Sequence, residues 1–360
     1  MTHTCNHTHI RKTGPTHDKF LKVYRKQVIP MHRAVLSWLR LIDRAVLYGL
    51  DQQLIRGNEA DTSAATKYEA YNPSPIEKRF IELRAQQLAD SFNVQKAKPP
   101  FTNVVNKIAD WNCIRVEGDN KIGPHHIRTY GKAGQVAGQL ADISTPWNVV
   151  NKKAVKWAIK NTNELVTLIT DQTKEALRVI IASGINRGRS MATVTRSIRR
   201  TGSVGLNVPQ AKAIVNFENN LLAREAIIKE ALQASNNSLT GAQDWLTRKH
   251  WKIPNAWVKQ VRDGDFDIPK RLNKKTKTML RYRSEMIART ETARAVSEGS
   301  LEIYGEAKLE YVIFDASADA CIVCDFLDGN KYTVGEAGGI IPQHPNCRCS
   351  WRPPFASELK

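Results

Sequence analysis

The chain has 360 residues, longer than the roughly 100–200 of a usual single domain, so two or three domains are expected. Hydrophobic residues at 41% and charged residues at 25% form a globular composition and exclude a chain disordered throughout. Lys and Arg number 54 against 35 Asp and Glu, and the resulting +19 favours polyanionic partners through general attraction rather than base reading.

The opening residues, MTHTCNHTHIRKTGPTH, are polar and lack the apolar region of a secretory signal. No run approaches the ~18–20 apolar residues of a membrane span, so a soluble, non-membrane protein is expected. His3, Cys5, His7 and His9 alternate in this leader, which is read as a flexible tail able to bind metal opportunistically. From Phe20 to about Leu54, the residues Leu21, Tyr24, Val28, Val35, Leu39 and Ile42 recur at helical spacing, and Pro30 is expected to split the segment into two helices. The polar stretch Arg56–Arg79 reads as a linker. Another helix is expected over Pro75–Phe92, stopped by Lys98-Pro99-Pro100.

Trp111–Trp147 carries several glycines without sustained periodicity and is read as loop-rich, with His125 and His126 as solvated loop histidines. Within it, Gly131–Gly138 lacks the Lys and Ser/Thr of a phosphate loop and suggests a turn or close packing instead. Asn148–Ile181 is amphipathic, with Gly184 as a candidate helix C-cap. Ser190 can cap a short helix through Arg200, and Pro209 can open the next. A long helix is expected over Thr276–Tyr304, ending at Gly305, and LEYVIFDAS reads as a short strand. The predicted fold class is mainly α with a small α+β C-terminal module. Its organisation is a leader (1–20), an N-terminal helical and loop-rich region (21–147), a central helical domain (148–306) and a Cys/His module (307–360).

Four of the six cysteines lie in the last forty residues. Cys321 and Cys324 form a C-x2-C pair, and His344, Cys347 and Cys349 follow in His-Pro-Asn-Cys-Arg-Cys. Two thiolates at turn spacing plus a second cluster across a loop can complete a tetrahedral structural zinc site. Five candidate ligands compete for four positions, so one of them, such as Cys349, stands outside the set; spacing leaves the choice open. Cysteines without metal, reduced or disulfide-paired, are the alternative. A zinc deaminase needs H-x-E before P-C-x-x-C, and here both the order and the glutamate are wrong. A redox C-x-x-C needs a thioredoxin-like context that is absent from the pattern.

The series Ile287-Ala-Arg-Thr-Glu-Thr292, the cysteine pair, and His344-Pro-Asn-Cys-Arg-Cys349 with a following proline resembles the Mu F-like phage head morphogenesis proteins, also called minor head or minor capsid proteins. Gly205–Leu221 also looks like the stretch preceding the long helix in that family, and the resemblance covers roughly the last 200 residues. His-Pro-Asn-Cys-Arg-Cys is its most diagnostic piece. One departure is the aromatic residue expected shortly before the cysteine pair, where this chain has Tyr311-Val-Ile-Phe314.

The resemblance implies a low-copy, non-enzymatic virion protein of the head interior or portal region. It would be made in the host cytoplasm, associate with the portal and with capsid or scaffold proteins, and contact packaged double-stranded DNA. Two basic clusters suit non-specific phosphate neutralisation: Lys270, Arg271, Lys274, Lys275, Lys277, Arg281 and Arg283, and Arg187, Arg189, Arg196, Arg199 and Arg200. A solvated helix face that meets an acidic protein explains the same charges equally well. The competing classes are an enzyme acting on nucleic acid or an ADP-ribosyltransferase, for which Arg289 and Glu291 are the tempting residues, and a zinc-containing DNA-binding protein. No nucleophile and base stand out beyond the cysteine region, the chain leaves little length after Cys349 for an appended enzyme, and no recognition helix is evident.

Overall fold

The computed structural model describes residues 15–57, 105–142, 152–355 and 358. The leader with His3, Cys5, His7 and His9, the stretch past residue 57 expected as a linker and the helix expected over Pro75–Phe92 lie outside the described residues. The fold is mainly helical with one small sheet near the C-terminus, as the pattern predicts. In chain order the elements are α1 (Pro15–Gly57), α2 (Trp111–Leu140), α3 (Lys152–Asn186), α4 (Met191–Thr201), α5 (Val208–Ala234), α6 (Leu239–Arg248), α7 (Asn255–Arg262) and α8 (Ile268–Glu306). They continue with β1 (Tyr311–Asp315), α9 (Ile322–Leu327), β2 (Lys331–Thr333), α10 (Val334–Ala337) and β3 (Ser350–Arg352). Among the described residues no helix is long and apolar enough to cross a membrane.

Two compact units emerge, neither contiguous in sequence: Met1–Leu41 with Asn112–Thr170 and Arg281–Lys360, and Ile42–Trp111 with Asp171–Leu280. In the first, Phe20 and Val23 of α1, Ala133 and Ala137 of α2, and Val296, Leu301 and Tyr304 of α8 share one core with Val312, Phe314 and Trp351 of the sheet. The strand order is β2-β1-β3, antiparallel throughout, with Val312 opposite Tyr332 and Phe314 opposite Trp351. Trp351 Nε1 donates to Ser297 Oγ at 2.9 Å, which fastens the sheet to α8.

Two sequence expectations fail in this unit. Pro30 does not break α1, because the buried stripe of Met31, Val35, Trp38 and Leu39 beyond it outweighs one lost backbone donor. Trp111–Leu140 is helix rather than loop, and Gly118 within it serves close packing. A Cβ on Gly118 would stand 2.7 Å from the Trp38 ring and 2.8 Å from Val166, and one on Gly299 of α8 would collide with the Tyr130 carbonyl of α2. Glycine content misleads here because helix contact and chain turning demand the same residue.

Among its described residues the second unit shows two core clusters. One gathers Leu206, Ile214, Leu221, Phe266 and Leu272; the other joins α5, α6 and α7 through Ile228, Leu232, Leu246, Ile253 and Val258. Ser190 caps α4 by accepting from Thr193 N at 3.2 Å, and Gly202 closes it at φ +62°. Asn207 and Gln210 form a reciprocal capping box at the start of α5, beside Pro209. Gly184 lies inside α3 rather than capping it, packed where a Cβ would strike Val194 of α4; Gly188, at φ +73°, follows the helix end. The long C-terminal helix begins earlier than expected, at Ile268, where Asp267 accepts from Lys270 N at 2.8 Å, and it runs one residue beyond Gly305.

Candidate metal centre

β1 delivers the chain into a turn whose Cys321 caps α9 in extended conformation, while Cys324 sits within the helix. The change from extended to helical backbone between them converges their sulfurs. Asn346 at φ +67° turns the chain tightly, and Cys347 N donates to His344 O at 3.1 Å, so His344 and Cys347 form an H-x2-C turn. Asn346 N also donates to Thr290 Oγ1 of α8 at 3.2 Å. The His-Pro-Asn-Cys loop and the Ala-Arg-Thr-Glu-Thr helix, far apart in sequence, therefore meet.

All five cysteine and histidine candidates are brought together, as two overlapping triads that share Cys324. Cys321, Cys324 and His344 form one, and Cys324, Cys347 and Cys349 the other, with donor atoms in each within 4.8 Å of one another. His344 Nε2 lies 3.1 Å from Cys321 Sγ and 3.2 Å from Cys324 Sγ, and Cys324 Sγ lies 4.0 Å from Cys347 Sγ. His344 Nδ1 stands 2.9 Å from Pro345 O, which can only accept, so Nδ1 carries the proton and the Nε2 lone pair faces the sulfurs. Cys324, Cys347 and Cys349 are buried in the apolar core with Trp351 and Phe314. Hydrogen bonds from Cys324 and Cys349 lower the Cys347 thiol, while the same bond to Cys347 raises Cys324.

The donors fit a metal. Ligand bonds of about 2.3 Å for sulfur and 2.05 Å for nitrogen at a tetrahedral angle require separations of about 3.8 Å between sulfurs and 3.6 Å from sulfur to nitrogen. The His344 to sulfur spacings, 3.1 and 3.2 Å, are shorter than this by up to about 0.5 Å and the Cys324 to Cys347 spacing, 4.0 Å, is longer by about 0.2 Å, while within 4.8 Å the donors group as two triads rather than as four together. Soft sulfurs and an imidazole suit a thiophilic ion, and hard cations prefer oxygen.

A second polar cluster escaped sequence reasoning. His126, expected in a solvated loop, is fully buried in α2; its Nδ1 is 2.7 Å from Thr162 Oγ1 of α3 and its Nε2 is 3.6 Å from Glu291 Oε2 of α8. Glu291 accepts from Asn161 Nδ2 at 3.1 Å and pairs with Arg294 at 3.2 Å. Burial lowers His126 to about 3 and raises Glu291. The i, i+4, i+7 spacing of Ile122, His126 and Thr129 was the available signal, masked by Gly123-Pro124. Arg289 of the same motif pairs with Glu285 at 2.5 Å.

The basic residues divide. Lys270, Lys274, Lys275, Lys277 and Arg281 are exposed on α8, as are Arg196 and Arg200 on α4, and Asn273 Nδ2 donates to Arg200 O at 3.1 Å, drawing the end of α4 against the start of α8. Arg283 is buried and cannot reach a phosphate; it faces inward on α8, where desolvation lowers it to about 10. Arg187 and Arg189 both bind Glu218, at 2.6 and 2.7 Å. Arg271 stacks on Trp257 and Phe266 at 4.6 and 4.5 Å, Arg199 is half-buried, and Arg200 lies 3.9 Å from Asp267. Comparison of the chain with protein-family models, with characterised proteins and with solved structures gives no match.

Proposed function

We propose that the chain is a minor capsid, or head morphogenesis, protein of a tailed bacteriophage, whose C-terminal module is held by one structural zinc ion. The observation that carries this reading is the Asn346 to Thr290 hydrogen bond, which joins the two motif segments of the resemblance beside one buried thiol cluster. A motif series that is dispersed in sequence yet adjacent in space is the expected signature of one functional module.

Cys321, Cys324, His344 and Cys347 are assigned as the ligands. They comprise two turns of identical x2 spacing, and each turn supplies two donors. Cys349 then donates its S–H toward the sulfurs and moderates their charge. Bound zinc supplies cross-linking of the module rather than catalysis, because the four protein donors fill its tetrahedron. The residues themselves set the module against α8 through Trp351, Thr290 and Tyr304.

The exposed lysines of α8 and the arginines of α4 serve as a phosphate-neutralising or acid-binding surface toward packaged DNA, the portal or capsid and scaffold proteins. His126 and Glu291 do not form an acid–base pair for chemistry in this account. His126 is closed off from solvent, and its neighbours Thr162, Asn161 and Arg294 satisfy a packing role.

The test is quantitative mass spectrometry of gradient-purified heads from the phage whose genome encodes the chain. The expected result is a few copies per head relative to the major capsid subunit. Absence from heads, with the protein recovered only in the soluble host fraction, would overturn the assignment.

A further inference from the structure

The two faces of α9 differ sharply. Cys324 is buried, whereas Ile322, Val323 and Phe326 are 84%, 54% and 83% exposed. Single exposed apolar side chains are ordinary, but three large ones on one short helix form a contiguous patch of the kind that marks an interaction surface. The surrounding sequence is acidic: residues 315–330 contain Asp315, Asp319, Asp325 and Asp328 and no Lys or Arg, in a chain whose net charge is +19. Asp319 is charge-paired with Arg348 and accepts from Ser317 Oγ at 2.6 Å, Asp328 accepts from Ala316 N at 2.9 Å, and Asp325 and Asp328 stand exposed beside the patch, ahead of Lys331.

The turn between α6 and α7 has the opposite character. Between Asp244 and Asp263, residues 245–262 contain Arg248, Lys249, Lys252, Lys259 and Arg262, the last paired with Asp263 at 2.8 Å. Trp251 stands 46% exposed among them, and Arg248, Lys249, His250 and Lys252 are exposed as well. The turn is rigid: Trp251 N donates to Leu246 O at 2.9 Å, Ile253 is buried beneath it, and Lys249 lies over the Trp245 ring at 5.8 Å.

We propose that the α9 knob of one copy docks onto the α6–α7 turn of a second copy of this chain. Phe326 and Ile322 pack against Trp251, and the aspartate rim faces Arg248, Lys249 and Lys252. Charge selects the occupant. The aspartates repel nucleic acid and attract a basic aromatic surface, and each further copy of this chain carries such a surface. The contact is head-to-tail, so it builds rings where the rotation closes and open chains where it does not. Each contact is small and polar-rimmed, which makes association weak for a single pair and sensitive to salt. The inference does not rest on the phage reading.

The experiment is sedimentation velocity of the full-length, zinc-loaded, reduced chain from about 1 to 100 µM, the span in which small interfaces associate, at low and high salt. Oligomers that grow with concentration and dissociate with salt are expected. Phe326→Ser and Trp251→Ser should each weaken association by about tenfold or more. An equimolar mixture of the two variants should form dimers and nothing larger, since one intact knob then meets one intact turn. Ile322→Ser with Lys249→Glu provides a second pair if either first variant loses its wild-type helical circular dichroism. A wild-type chain monomeric throughout, variants that associate like wild type, a mixture that stays monomeric, or loss through the knob variants alone would each overturn the proposal.

Discussion

Replacing Cys324 with Ser perturbs both donor triads at once, because its sulfur is the atom they share. Structural zinc binds with an apparent ~10–16 kcal/mol at neutral pH, so an equal share for each of four ligands is roughly 2.5–4 kcal/mol, or about 10²–10³-fold in affinity. Cys324 also packs in the core, and its hydroxyl replacement has a buried desolvation cost, placing Cys324→Ser at or beyond the upper end. Cys347→Ser and His344→Ala fall within the range. Cys349→Ser removes only a thiol beside the sulfurs and should cost about 10-fold, up to 100-fold. Zinc competition against a colorimetric chelator, with reduced protein, measures the series. Equal losses at Cys347 and Cys349, or a greater loss at Cys349, would refute the ligand assignment; wild-type protein holding well under one equivalent of zinc would refute the site.

Four further outcomes follow from the geometry. His126 has its folded pKa lowered from 6.5 to about 3, so the unfolded chain takes up a proton that the folded chain refuses, and stability falls as pH drops through that window. Between pH 6.5 and 4.5 this amounts to about 2–3 kcal/mol, and urea denaturation of His126→Asn should show that much less loss than wild type; equal losses would refute the buried neutral histidine. Glu291, raised by burial, acts in the opposite direction in both proteins and cancels in the difference. Gly299→Ala drives a methyl group into the Tyr130 carbonyl and should cost about 1–3 kcal/mol by thermal or chemical denaturation. Trp351→Ala empties a site lined by Phe314 and Tyr332 and breaks the bond to Ser297, with an expected loss of about 3–5 kcal/mol. If the chain binds DNA, Lys274→Ala with Lys277→Ala should reduce the slope of log affinity against log salt by about 2, whereas Arg283→Lys should leave it unchanged.

Much of this was legible in the sequence because the signals were local. Ser190, Pro209 and the β-branched run Tyr311–Asp315 declare their structures within a few residues. The C-x2-C pair and the His-Pro-Asn-Cys-Arg-Cys segment likewise announced the five clustered donors. What stayed hidden depends on distant neighbours. Gly118 resembles a turn residue until Trp38 and Val166 close on it, and Pro30 resembles a break until the buried stripe beyond it is placed. His126 looks solvated beside Gly123-Pro124, yet Thr162 and Glu291 approach it from two other helices. Charge counting also treated Arg283 and Lys274 as equivalent, and only tertiary packing distinguishes a buried cation from an exposed one.

The proposed head-assembly role calls for co-purification of the tagged chain with the portal protein encoded beside it, at low and high salt. The expected result is retention of the portal at low salt and release as salt rises, with the exposed cations of α4 and α8 carrying the contact. No portal retention at any salt, together with tight retention of DNA, would contradict it.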